Sequence, residues 1–222
     1  MLKRLKTILK QKNYKLYERP NELNIVGLRS SRTLSNRFDD ELHVFYINDL
    51  GQWKHHIFKI TTDPGTYWLK NPLAPQGTAI LSAGQYRNAY GIAKHRGKYY
   101  ALCQVNGPVT VIRDYDRNAW LDFMNGMRQT GMFGINIHRA RSKGKTKRID
   151  DFSAGCQVFK HASDFIAFMA LCEKHRQLYG NRFTYTLIDF RTMRRETIKR
   201  VAIGGVIAGL GGLTYLRYGR YF

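Results

Sequence analysis

GINIHRARSKGKTKRIDDFSAGCQVF, residues 134–159, sets one histidine and one cysteine on either side of a run of positive charge. "FGINIH" (133–138) reads as a strand that His138 closes, and "SAGC" (153–156) as a tight turn. A cysteine attacks as its thiolate, so it needs a base or a positive field nearby and amides aimed at the developing oxyanion. His138 is positioned to return beside Cys156 through the intervening loop. Ala154 and Gly155 leave the backbone free to turn, which makes the amides of Gly155 and Cys156 the expected oxyanion donors. The spacing by itself is equally that of a core cysteine behind a basic loop.

Outward from this stretch, the 222 residues suit one domain with appended segments, and the formal charge of +21 points to a polyanionic partner such as nucleic acid, anionic lipid or an acidic wall polymer. The charge is concentrated. Residues 1–20 carry seven Lys/Arg against Glu18, and residues 191–222 carry seven against Glu196. Six more cations, Arg139, Arg141, Lys143, Lys145, Lys147 and Arg148, lie inside the opening stretch, and the remaining body is nearly neutral. Three cysteines, Cys103, Cys156 and Cys172, are too few and too irregular for a disulfide framework, so reduced thiols are expected. "MLKRLKTILKQK" has no apolar run of the length a secretory segment needs, so synthesis and folding in the cytoplasm are expected.

Leu2, Leu5, Ile8 and Leu9 share a helical face ringed by Lys3, Lys6 and Lys10, as in a basic amphipathic helix able to meet anionic lipid; a frayed, solvated terminus has the same pattern. From Leu23 to Val111 the signals are strand and turn. "NIVGL", "ELHVFYI", "HHIFKITT", "TYWL", "KYYALCQV" and "PVTVIRD" alternate with "NDLG", "DPG", "APQG" and "NGP", which predicts an antiparallel, sheet-rich domain. Ser163 is the expected cap of a helix to Tyr179, with Asp164 in its first turn, Phe165, Phe168, Met169, Cys172 and Tyr179 along one core-facing stripe, and Gly180 as its stop. "RFTYTLIDF" (182–190) follows as a strand.

The tail "VAIGGVIAGLGGLTYL" (201–216) is uncharged and flanked by basic residues. As a helix it measures about 24 Å at ~1.5 Å per residue, against about 30 Å of hydrocarbon. Gly205 and Gly209 form a GxxxG pair suited to close helix contact or self-association. A membrane-inserted tail and a glycine-rich helix buried against protein are both compatible with it.

A histidine closing a strand, then Ser-x-Gly-Cys at 153–156, a helix and a last strand resembles the L,D-transpeptidase catalytic domain family of peptidoglycan enzymes. "TTDPGTYWL" and "PQGTAILSAGQY" resemble that family's glycine- and proline-punctuated strands. The likeness spans roughly residues 23–190, and its specific part is His138 to Cys156. The resemblance implies an α+β, mainly β fold, a sheet-rich β-sandwich over 21–192 with one main helix after the cysteine motif; the patterning adds a basic segment at 1–20 and an apolar C-terminal helix at 193–222. It implies Cys156 as nucleophile, His138 as base, the Arg139 backbone carbonyl orienting that base, and Ser153 and Gly155 shaping the turn. Gln157, Arg141 and Lys143 are the expected substrate contacts, and no metal or cofactor is implied. Ala154 stands where the family has a second histidine, and Val158 where it has Asn or Arg.

The implied reaction is acyl transfer from a peptidoglycan stem peptide through a Cys156 thioester, to an amine or to water. Without a secretory segment, a phage lysis or virion protein reaching the envelope, or a host envelope enzyme exported by a non-standard route, would reconcile that activity with cytoplasmic synthesis. Three rivals are open on sequence. A thiol peptidase of another type would use His161 or His175; a metal site would gather Cys156, His161, Cys172 and His175; a non-catalytic virion, wall-binding or nucleic-acid-binding protein would act through charge alone.

Overall fold

In the computed structural model the chain separates into a compact unit, Met1–Ile188, and a second, Asp189–Phe222. The structure describes residues 1–191, so the apolar stretch 201–216, with Gly205 and Gly209, lies outside the described residues. No helix among the described residues is long and apolar enough to cross a membrane.

Eleven strands and three helices are formed among the described residues. The strands are β1 (Asn24–Arg29), β2 (Asp40–Ile47), β3 (Trp53–Thr61), β4 (Thr78–Leu81), β5 (Gly84–His95), β6 (Tyr99–Gln104), β7 (Val109–Asp114), β8 (Arg128–Gly131), β9 (Ile137–Arg139), β10 (Gln157–Phe159) and β11 (Phe183–Asp189). The helices are α1 (Leu2–Gln11), α2 (Thr66–Lys70) and α3 (Ala162–Tyr179). The sheet-rich character and the single main helix agree with the sequence reading. The layering differs: instead of a sandwich, the large sheet closes into a barrel in the order β1-β11-β5-β6-β9-β10-β3-β2, beside a three-stranded sheet β4-β7-β8. It is also mixed rather than antiparallel throughout, because β9 and β10 run parallel.

The barrel has strong and weak rungs. β2 and β3 pair over eight registered residues, from Asp40↔Ile60 to Ile47↔Trp53, whereas β6 meets β9 only at Leu102↔Ile137. Closure instead relies on the interior. Leu42, Val44, Tyr90, Leu102, Ile137, Phe159 and Tyr185 are buried in one cluster, to which α3 adds Phe165, Phe168 and Cys172. Phe159 meets Phe168 with ring centroids 5.2 Å apart and Phe165 at 5.5 Å, so the helix is fixed to β10 by aromatic contact.

Several local readings are corrected. "TYWL" forms α2 rather than a strand: the Trp68 and Leu69 amides bond to the Gly65 carbonyl, and the Gly65 amide donates to Ser153 O at 2.9 Å. That tether to the cysteine turn overrides the strand preference of Tyr and Trp. α3 starts one residue before the expected cap, at Ala162 with His161 as its N-cap residue, because Ala162 N–H is held by Gly144 O at 3.0 Å and Ser163 falls within the first turn. "FGINIH" contributes only a three-residue strand, with His138 at its centre. α1 is formed with Leu5, Ile8 and Leu9 buried, and Lys6 Nζ lies 4.0 Å from the centre of the Trp53 ring. Its apolar face is therefore covered, which leaves the lysines as the part of α1 available to an anionic surface.

Candidate active site

The parallel register Gln157↔Ile137, Val158↔His138, Phe159↔Arg139 fixes which residues share a face. Side chains alternate along a strand. Ile137 and Phe159 belong to the barrel interior, so Asn136, His138, Cys156 and Val158 lie on the outer face. There Cys156 packs with Val158, Ile149, Phe152 and Ala140 in a separate small cluster. His138 and Cys156 are thus diagonal neighbours, two residues apart in register, or roughly 7 Å along the strand direction.

The His138 imidazole is held by its own strand. His138 Nδ1 donates to the Arg139 carbonyl at 2.8 Å, which leaves Nε2 as the basic nitrogen. Tyr99 Oη also donates to Arg139 O at 3.2 Å and lies 3.4 Å from Nδ1. His95 stacks on His138 with centroids 4.1 Å apart and an interplanar angle of 19°, and Asn136 Nδ2 donates to His95 Nδ1 at 3.0 Å. Burial, then the neighbouring His95, push the His138 pKa down to about 3, so the imidazole is neutral at rest.

The thiol is held by backbone. Cys156 Sγ donates to Gly134 O at 3.4 Å and accepts from the Asn136 amide at 3.4 Å. No hydrogen bond joins Sγ to His138 in this structure. Burial pushes the Cys156 thiol up to about 11, although part of its surface remains in solvent and the Asn136 amide pulls the other way. Thiol and imidazole are therefore both neutral near pH 7.

The turn is built from short polar contacts. Ser153 Oγ donates to Cys156 O at 2.8 Å and accepts from the Gly155 amide at 3.2 Å. Gly155 has φ +122°, and a Cβ there would collide with the Ala79 carbonyl, so only glycine fits. Its amide, expected as an oxyanion donor, is already engaged by Ser153. Gln157 is also corrected: it is fully buried, accepts from Tyr185 Oη at 2.8 Å, and does not contact solvent as a substrate-binding side chain would.

The basic loop is anchored rather than loose, because Thr146 N–H bonds to Lys160 O at 2.9 Å and Gly144 O accepts from Ala162. Arg139 lies over the Tyr99 ring at 4.3 Å and Arg141 faces Phe152 at 5.8 Å. Arg141, Lys143, Lys145, Lys147 and Arg148 are exposed.

The rival histidines sit elsewhere in the chemistry. His175 is a core residue: Nδ1 accepts the Leu23 amide at 3.2 Å and Nε2 faces Arg182 O at 3.3 Å. His161 precedes α3, opposite Lys145 in an isolated bridge. Among the described residues no group of three or more His, Cys, Asp or Glu is arranged to hold a metal, so the four-ligand set does not assemble.

Sequence reading missed His95, Tyr99, Gln104 and Asn136. His95 and Tyr99 face each other across a hairpin whose turn residues Arg96 and Gly97 both have positive φ, and "HRGK" carried that turn signal. Gln104 and Asn136 left no such trace. Gln104 Oε1 accepts the Phe133 and Ile135 amides, each at 3.1 Å, and the Gln104 backbone N–H donates to Asn136 Oδ1 at 2.9 Å. These bonds shape the irregular segment that presents Gly134 O and Asn136 N–H to the thiol. Compared with family models, curated proteins and solved structures, the chain matches none of them.

Proposed function

We propose that the chain is a cysteine acyltransferase of the L,D-transpeptidase type that acts on peptidoglycan stem peptides. The observation that carries the reading is the His138 imidazole, bonded through Nδ1 to the Arg139 carbonyl and on the same strand face as Cys156. In this reaction His138 Nε2 takes the thiol proton as Sγ adds to the amide carbonyl at the L-centre of the stem's diamino acid. Collapse of the tetrahedral adduct breaks the C–N bond. The departing D-amino acid takes the proton from His138, leaving a thioester on Cys156. An acceptor amine or water then attacks the thioester, and the thiol is restored.

Starting from a neutral thiol and imidazole, proton transfer is coupled to attack rather than completed beforehand. Exposed Arg141, over the Phe152 ring that packs with Cys156, and exposed Lys143 in the same loop suit stem carboxylates, and the lysines of α1 suit wall polymer or anionic lipid. The test is incubation with defined tetrapeptide stems, read by intact mass. A thioester on Cys156 that is lost in Cys156→Ala supports the reading; neither adduct nor product overturns it.

The exposed cations of the 139–148 loop favour a second reading, a virion or wall-binding domain that holds a polyanion without turnover. Its signature is binding retained in Cys156→Ala, log affinity falling linearly with log salt, and no reaction by the wild type.

A further inference from the structure

Of the four backbone polar groups in Gly155 and Cys156, three have partners. Gly155 N–H and Cys156 C=O are both bonded to Ser153 Oγ, and Gly155 C=O accepts from Gln157 Nε2 at 3.3 Å. The fourth, Cys156 N–H, has no partner among the described residues. Gly155 C=O and Cys156 N–H belong to one peptide unit, and no cis peptide bond occurs among the described residues, so the two groups point in opposite directions. The carbonyl points at a side chain that is fully buried on the interior side of β10, beside Tyr185. The N–H therefore points away from the interior, toward the face that holds the thiol.

The orientation of the Gln157 amide is fixed at both ends. The Gly155 carbonyl can only accept, so Nε2 must face it, and Oε1 then receives the Tyr185 hydroxyl at 2.8 Å. Tyr185 is placed in turn by β1, where a Cβ on Gly27 would collide with its hydroxyl. A chain of contacts thus runs from β1 and β11 through the barrel to the peptide that precedes the nucleophile.

We infer that Gln157 is a positioning residue, locked by Tyr185, that aims the Cys156 amide at the oxyanion of an acyl-transfer intermediate. This rests on the acyl-transfer reading above and gives Gln157 a role without substrate contact. A positioned oxyanion donor contributes about 10²–10³ in rate, and it acts on acylation, where an oxyanion forms, but not on alkylation of the same sulfur.

The experiment compares two reactions of Cys156 in the full chain: acylation by p-nitrophenyl acetate and alkylation by iodoacetamide, both read by intact mass. Gln157→Leu is expected to slow acylation by about 10²-fold and leave alkylation within about twofold. Tyr185→Phe, which keeps the ring, is expected to slow acylation by about tenfold, the effect of one hydrogen bond. If Gln157→Leu does not fold, Tyr185→Phe carries the test. Equal losses in both reactions, or no loss in either, overturn the inference while leaving the acyl-transfer reading intact. A wild type that alkylates but never acylates overturns that reading and the inference with it.

Discussion

His138 and His175 are buried to the same degree, each 5% exposed, and burial lowers the pKa of both. They differ in how many ring nitrogens the fold uses. At the α3–β11 junction both nitrogens of His175 are committed, one to the Leu23 amide and one to the Arg182 carbonyl. At the β9–β10 seam the fold takes only Nδ1 of His138, and Nε2 has no hydrogen-bond partner among the described residues. Burial alone does not separate the two imidazoles. The uncommitted nitrogen does.

The largest expected effect breaks the comparison on the side of chemistry. His138→Gln should lower the rate of acyl-enzyme formation at Cys156 by about 10²–10⁴-fold, the range for a general base, as measured by intact mass with stem peptides. In His175→Ala the folded fraction should keep its acylation rate. A His175 variant as inactive as the His138 variant would remove the distinction.

Stability should show the reverse order. His175→Ala strands the Leu23 amide in the core, leaves the Arg182 carbonyl without its imidazole partner, and should cost about 2–4 kcal/mol in denaturant unfolding.

Alkylation kinetics extend the contrast to sulfur. In the native protein iodoacetamide should label Cys156 and spare Cys103 and Cys172, which are 4% and 0% exposed. With the Cys156 thiol near 11, the labelling rate should rise about tenfold per pH unit between neutrality and pH 10.

Acid titration gives a smaller effect, with the same sign for both histidines. The folded-state pKa of His138 lies below its ordinary value of 6.5, at about 3, so the unfolded chain binds the extra proton as pH falls. Stability is full above 6.5 and is lost toward pH 3, at up to about 1.4 kcal/mol per pH unit from this residue. Denaturation at pH 7, 6 and 5 should show a shallower slope in His138→Gln by that amount.

The smallest expected change is Tyr99→Phe. It removes one of two donors to the Arg139 carbonyl and should slow acylation by about tenfold or less, without shifting the melting transition by more than a few degrees.

Much of this fold was legible in the sequence because local physics and tertiary structure agreed. The strands at 24–28, 41–47, 55–62 and 98–105 and the helix ending at Gly180 appear close to where punctuation and patterning put them. The failures lie where distant contacts decided. "TYWL" became helical because Gly65 is tied to Ser153, which lies far along the chain. The Cys156 turn and the Arg139-oriented imidazole were legible through a motif. Gln157 was misread because nothing local distinguishes a glutamine that faces solvent from one facing Tyr185 across a barrel. Arg29 was equally hidden: it is 1% exposed, with Nε 2.8 Å from Asp63 Oδ1 and NH1 donating to Leu81 O.

The single registered contact between β6 and β9, followed by a three-residue parallel pairing, makes the thinnest part of the barrel wall also the part that carries Cys156 and His138. β9 and β10 are near in sequence, but β10 joins the rest of the wall through β3, far earlier in the chain, and such distant pairings form late because chain entropy must be lost before it is rewarded. Closure of the wall and the placing of Cys156 beside His138 are consequently one event. Folding turns an ordinary thiol into one pushed up to about 11, so a chain whose wall is still open is alkylated at Cys156 faster than the closed barrel.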